Sequence, residues 1–243
     1  RPVLPCRVMS PKPVVVREHD DLGLGRAELA FEGTFAYGTF DLPGSSRMFL
    51  TVFNVSQPET PVLVGILEAG TLNNGPGSVK IRNGRGYVHR ATVGIWSVDY
   101  RDPTNPVWGS NFWPTPDEWP WPYYLVLVDD YLYAFKFGAT QILIFELQDE
   151  GDPILVSVVT TPGASHLNSP SLISGEGWLW VETDGTHVYD LKDAAHPNHL
   201  STLRGVLWGA GFIADGLAYV GGSGIQTIRI GNGTLPEAAA SFP

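Results

Sequence analysis

The sequence predicts an all-β fold, a β-propeller of four-stranded antiparallel blades, and three observations carry that expectation. First, no stretch of the 243 residues keeps a helical apolar period over three turns. Short runs rich in Val, Ile, Tyr, Phe and Trp stand instead between Gly, Asp, Asn or Pro, and 28 Gly with 20 Pro suit a chain of many turns. Second, a proline that opens a strand-like run recurs at Pro13, Pro61, Pro106, Pro153, Pro197 and Pro236, at spacings of 48, 45, 47, 44 and 39. Third, an aromatic in an earlier run recurs at Tyr37, Tyr87, Tyr133, Trp180 and Tyr219, spaced 50, 46, 47 and 39. Two markers that drift together define one repeating unit.

Each unit reads as four short strands. In the fifth these are "GAGFIADG", "LAYVGGSG", "IQTIRIG" and "LPEAAASF". Asp215-Gly216 is a hairpin signal between the first two, and Gly84, Gly177 and Gly222 mark similar turns. The recurring proline suits an outer strand, where a missing N–H does least harm. Blades are expected at about 26–69, 78–110, 123–161, 169–203 and 208–243, in one domain spanning 1–243. Residues 1–25 are expected to act as clasp strands on the last blade, because "CRVMSPKPVVVRE" reads as the second half of another unit. Five blades is the preferred count; six, with strands lying outside this chain, is the alternative.

The stretches "GLAYV…GIQTIRI" and "GRGYVHRATVGIWSVDYRDPTNPVWGS" resemble the LVIVD-type propeller repeat. The likeness is clearest over residues 78–110. It weakens over 169–203, where "VYDLKDAAHPNHL" keeps the Asp and one Pro but loses the first Pro. The resemblance implies a propeller and, from the usual setting of its members, a secreted or surface location. It implies no reaction.

The formal charge is −10 and the pI about 4.9, so nucleic acid is a poor partner: the basic stripe it requires is missing. "YYLVLV" is among the longest apolar runs, far short of a membrane span. The chain lacks an initial Met and a signal-peptide pattern, so its N-terminus reads as processed or engineered. Cys6 stands alone, which forbids an intrachain disulfide, and packing is its expected role. Asn54-Val-Ser56 and Asn232-Gly-Thr234 match the N-glycosylation acceptor pattern. With the high Trp and Pro and low Lys they tilt the expectation towards export.

In a propeller, the connections from one blade's outer strand to the next blade's inner strand gather on the face where ligands bind. Here these are 19–26, 69–77, 110–122, 161–168 and 204–209. The third is the longest and most unusual. "FWPTPDEWPWPYY", residues 112–124, holds Phe112, Trp113, Trp119, Trp121, Tyr123 and Tyr124 among Pro114, Pro116, Pro120 and Pro122. The prolines fix φ and stiffen a loop that has no hydrogen-bond ladder. The tryptophans either plug the channel mouth as a private core or stack on a ligand, and a mixture of the two is expected.

Substrate contacts are expected from Trp113, Trp119, Trp121 and Tyr123, with Asn168, Trp208, His19 and Asp21 from the neighbouring connections. Asp117 and Glu118 beside indole faces would have raised pKa values and serve as proton donors or acceptors; an ordinary solvated turn is the competing reading. His166 is the candidate general base. Arg90 and Lys80 are expected on inner-blade strands, paired with carboxylates. His196 and His199 are expected to face water. The histidines His19, His89, His166, His187, His196 and His199 are scattered in sequence, no calcium loop is present, and no Gly-rich fingerprint opens a helix. No cofactor or metal is expected.

Three functions compete. The first is a cofactor-independent cyclase or cycloaddition enzyme of hetero-Diels–Alderase type, acting on an apolar or aromatic small molecule by positioning and hydrogen bonding. The second is a carbohydrate-binding propeller, lectin or glycoside hydrolase, against which the concentration of tryptophans in one connection argues. The third is a structural propeller for protein interaction, which requires buried tryptophans and a closed mouth.

Overall fold

The computed structural model describes residues 29–41, 47–71, 76–90, 94–113, 123–136, 141–162, 172–182, 185–203, 210–221, 225–229 and 237–242. Local chemistry sets its strand ends. Asn83-Gly84, Glu176-Gly177 and Asp215-Gly216 hold positive φ at both residues, the two-residue hairpin geometry that matches strand twist. Each joins the first and second strands of a four-stranded antiparallel sheet, and there are five such sheets among the described residues.

The first sheet comprises β1 (Leu29–Glu32), β2 (Phe35–Asp41), β3 (Arg47–Asn54) and β4 (Val62–Thr71). The second is β5 (Pro76–Arg82), β6 (Arg85–Arg90), β7 (Gly94–Asp99) and β8 (Val107–Trp113). The third is β9 (Tyr123–Val128), β10 (Tyr131–Lys136), β11 (Gln141–Glu146) and β12 (Ile154–Thr160). The fourth is β13 (Leu172–Gly175), β14 (Trp178–Glu182), β15 (Thr186–Asp190) and β16 (Asn198–Leu203). The fifth is β17 (Ala210–Ala214), β18 (Leu217–Gly221), β19 (Ile225–Arg229) and β20 (Glu237–Phe242). Every sheet pairs its strands in chain order.

The sequence markers have simple structural duties. Pro61, Pro106, Pro153 and Pro197 each stand one residue ahead of an outer strand, so the missing N–H falls outside the ladder. Tyr37, Tyr87, Tyr133, Trp180 and Tyr219 all lie on second strands. The turns before the outer strands are capped from within the repeat. The side-chain oxygens of Asn54, Asp99 and Asp190 accept the backbone N–H two residues on, at 2.9 Å in each case. Asn54, one of the two glycosylation candidates, therefore has a turn-capping duty; Asn232 lies outside the described residues.

Apolar residues then stack the sheets. Inner strands neighbour one another in the order β1, β5, β9, β13, β17. An apolar cluster fills each successive junction: Tyr37, Val52, Val79 and Tyr100 between the first and second sheets, and Tyr87, Leu125 and Phe145 between the second and third. Tyr133, Ile144, Leu179 and Tyr189 join the third to the fourth, and Trp180, Val188 and Ile213 the fourth to the fifth. Strands such as β14 are consequently buried on both faces, whereas the outer β12 and β16 are largely exposed. The architecture is β-propeller-like. The clasp expected from residues 1–25 lies outside the described residues, and β17–β20 already supply four strands to the last sheet.

Candidate functional site

The alternation of strand direction sorts the loops onto two ends. Turns from first to second and from third to fourth strands lie at one end. Second-to-third hairpins and the crossings from one sheet to the next lie at the other. The crossing formed by residues 114–122 runs from Trp113, the last residue of β8, to Tyr123, the first of β9. It therefore spans from the outer edge of the second sheet to the inner strand of the third. Asp117, Glu118, Trp119 and Trp121 lie within it and outside the described residues, as do His19, Asp21, His166, Asn168 and Trp208.

The root of this crossing is aromatic. Trp113 is partly buried and meets Phe145 edge-on at 5.5 Å. Phe112 meets Phe145 at 5.6 Å and Tyr87 at 6.1 Å, both edge-on. The first two aromatics of the stretch are thus anchored in the junction between the second and third sheets, a structural duty that sequence composition did not separate from ligand contact. Tyr123 is held by backbone pairing with Lys136.

His89 joins this region. It pairs across the sheet with Ile95, which pairs with Trp113, so the three share one face towards the third sheet. His89 is 1% exposed, and burial pushes its pKa down to about 3. The imidazole is neutral at any ordinary pH and a very weak base. It can orient a neighbour by hydrogen bonding but is poorly suited to proton abstraction.

Arg90 departs from expectation. It lies on the second strand β6 rather than an inner strand, and no carboxylate among the described residues pairs with it. Its guanidinium lies over the rings of Trp96 and Trp108, at 5.2 and 5.0 Å from their centroids, and burial lowers its pKa. The two indoles meet edge-on at 5.8 Å, and the Trp108 Nε1–H donates to the Glu68 carbonyl at 3.1 Å. The tryptophan at position 108 was visible in the sequence; its stacking with an arginine 18 residues earlier carried no local signal. Lys80 does lie on an inner strand, β5.

Two histidines scattered in sequence come together. Thr202 Oγ1 lies 2.9 Å from His187 Nδ1 and 3.3 Å from His199 Nε2, with the two rings 5.6 Å apart. His187 is buried and His199 exposed, so this is an edge feature of the fourth sheet. His196 is exposed and contacts Asp193 at 3.1 Å. Among the described residues no three His, Cys, Asp or Glu side chains cluster as metal ligands.

The opposite end carries a small cavity of about 40 Å³ lined by Arg82, Arg85, Arg101, Tyr87, Gln148 and Asp149. Its cations are already engaged. Arg82 pairs with Asp130, Arg101 with Asp99, and Arg85 donates to the Gly151 carbonyl. The arrangement laces the second and third sheets together rather than offering free charge.

No protein-family model matches the chain, and no curated protein matches it in sequence. Solved structures do match. The periplasmic gluconolactonase of Pseudomonas aeruginosa has a TM-score of 0.68 at 13% identity, covering 89% of this chain and 71% of that one. A protein of Bacteroides fragilis described as a candidate 6-phosphogluconolactonase has a TM-score of 0.64 at 12% identity, covering 89% and 70%. A Desulfotomaculum acetoxidans protein of unknown function has a TM-score of 0.67 at 11% identity, covering 90% and 69%. At these identities the likeness is one of fold. The resemblance to LVIVD-type repeats accordingly rests on its motifs, and the neighbours share with this chain a β-propeller-like architecture.

Proposed function

We propose that this protein binds a small molecule at the end of the fold where the sheet-to-sheet crossings lie, over the second and third sheets. The observation that supports the reading is the aromatic root of the crossing: Trp113 ends β8 against Phe145 in the junction of the second and third sheets, and Tyr123 begins β9. The reaction class best supported is hydrolysis of a cyclic ester. Two structural neighbours are named for lactone hydrolysis, and that chemistry asks only for a positioned water, a proton acceptor and a polar cradle for the carbonyl oxygen. In this proposal Trp119 and Trp121 stack on the ligand. Asp117, Glu118 or His166 accepts the proton of the attacking water, and Asn168 donates to the carbonyl oxygen. Neither gluconolactonase-type neighbour is named for cycloaddition, and the cyclase reading rests on aromatic composition. Export accords with the periplasmic setting named for one neighbour.

The test is titration with gluconolactone and 6-phosphogluconolactone, followed by tryptophan emission and by proton release at constant pH. Trp119→Ala is expected to weaken binding about 3- to 10-fold, the magnitude of one lost aromatic contact. Asp117→Ala is expected to lower kcat and leave KM nearly unchanged. Lactones that leave the emission unmoved and hydrolyse at the spontaneous rate would sink the lactonase reading.

A further inference from the structure

The first sheet is packed on one face. Ala30, Tyr37, Leu50 and Val52 press on the second sheet. The opposite face carries Leu29, Phe31, Phe53, Leu63 and Ile66, aligned by cross-strand pairing. These positions have counterparts in the next sheet: Leu29 corresponds to Val79, Phe31 to Ile81, Phe53 to Val98 and Leu63 to Trp108. Val79 is 0% and Ile81 9% exposed, because the first sheet covers them. Leu29 is 47% and Phe31 64% exposed. Among the described residues no packing of β17 on β1 matches that at the other four junctions. On the same face Ala36, Phe40 and Thr51 are buried, so the exposed part is the strip of Leu29, Phe31, Leu63 and Ile66, and an apolar strip of this kind calls for a cover.

The chain leading into β1 repeats the format of the chain leading into every other inner strand. Pro61, Pro106, Pro153 and Pro197 each stand 7 residues after the end of a third strand, at Asn54, Asp99, Glu146 and Asp190. Seven residues before Pro13 stands Cys6. From those four prolines to the start of the next inner strand the count is 15, 17, 19 and 13; from Pro13 to Leu29 it is 16. Val14, Val15 and Val16 follow Pro13 as an apolar run follows Pro61. The segment is also basic. Arg1, Arg7, Lys12 and Arg17 oppose only Glu18 in a chain whose net charge is −10, so attraction to the acidic remainder favours docking.

We propose that residues 1–18 form the third and fourth strands of a further sheet, which packs on the open face of the first, with the valine run over the side that bears Phe53, Leu63 and Ile66. The occupant is this chain's own N-terminal segment and not a second copy.

Cys6 is the only cysteine, so a spin label there is unique. A second label at Leu63→Cys permits a distance measurement by electron double resonance in the full chain. Packed sheets lie about 10 Å apart, so a narrow distribution within about 10–25 Å is expected once the label arms are included. Leu200→Cys, on the fourth sheet, should give a clearly longer distance. A broad distribution overturns the proposal. So does a short distance that vanishes on dilution with unlabelled protein, which would assign the face to a second copy. Val15→Asp should lower Tm, and an unchanged Tm would count equally against the docking.

Discussion

At the residue scale, the neutral His89 makes a pH prediction whose direction follows from its burial. Its folded pKa is about 3 and the unfolded value near 6.5, so between those limits the unfolded chain binds a proton that the folded chain does not. Stability should therefore be indifferent to this group above pH 6.5 and fall by roughly 1.4 kcal/mol per pH unit as pH drops from there towards 3. His89→Gln, which cannot titrate, should flatten that slope in urea melts taken at pH 4 to 7. Trp180 supplies the complementary case. It is fully buried at the junction of the fourth and fifth sheets, and Trp180→Ala should cost about 3–5 kcal/mol in the same melts. The sequence marked position 180 as a recurring aromatic. It gave no hint that His89 and His187, unlike the exposed His196 and His199, are buried, because strand alternation does not reveal what the adjacent sheet brings up against a side chain.

At the element scale, each junction between neighbouring sheets has a polar staple near its turns. Glu32, at the end of β1, accepts the backbone N–H groups of Asn83 and Gly84 at 2.5 and 2.8 Å. Glu176, in the turn after β13, does the same for Asp215 and Gly216 at 2.6 and 2.8 Å. Arg82 pairs with Asp130 between the second and third sheets, and the Tyr133 hydroxyl donates to the Ala194 carbonyl between the third and fourth. Glu32→Ala should lose about 1–2 kcal/mol, because two turn donors lose a charged acceptor; Glu32→Gln should recover part of that. Packing is equally tight where β4 meets the turn before β8. A Cβ at Gly65 would stand 2.1 Å from the Pro103 carbonyl oxygen, and backbone cannot step aside as a side chain can. Gly65→Ala should cost about 1–3 kcal/mol by chemical denaturation, with first-sheet amides exchanging fastest. The turn residues themselves were legible, since Asn-Gly and Asp-Gly announce positive φ. Their acceptors were not, because they lie 39 to 52 residues away in sequence and occupy different positions in their repeats.

At the scale of the whole molecule, the five similar sheets among the described residues stack in chain order and bring the strand ends that lead into each crossing to one end, which is what makes the tryptophan-rich connection after Trp113 a candidate site. The sequence by itself determined the repeating unit, its four antiparallel strands, the proline ahead of each outer strand and the aromatic on each second strand. All of these follow from contacts within about 45 residues, where strand period, turn chemistry and the missing proline N–H act locally. Only the tertiary structure decided that Arg90 stacks on two indoles, that Phe112 and Trp113 belong to a junction, that His187 and His199 meet, and that Leu29, Phe31, Leu63 and Ile66 of the first sheet are exposed. Such pairings join residues with no local reason to meet. They arise when one sheet's side chains interlock with the next, and that fit depends on the shapes of both surfaces, which strand period and turn residues leave unspecified.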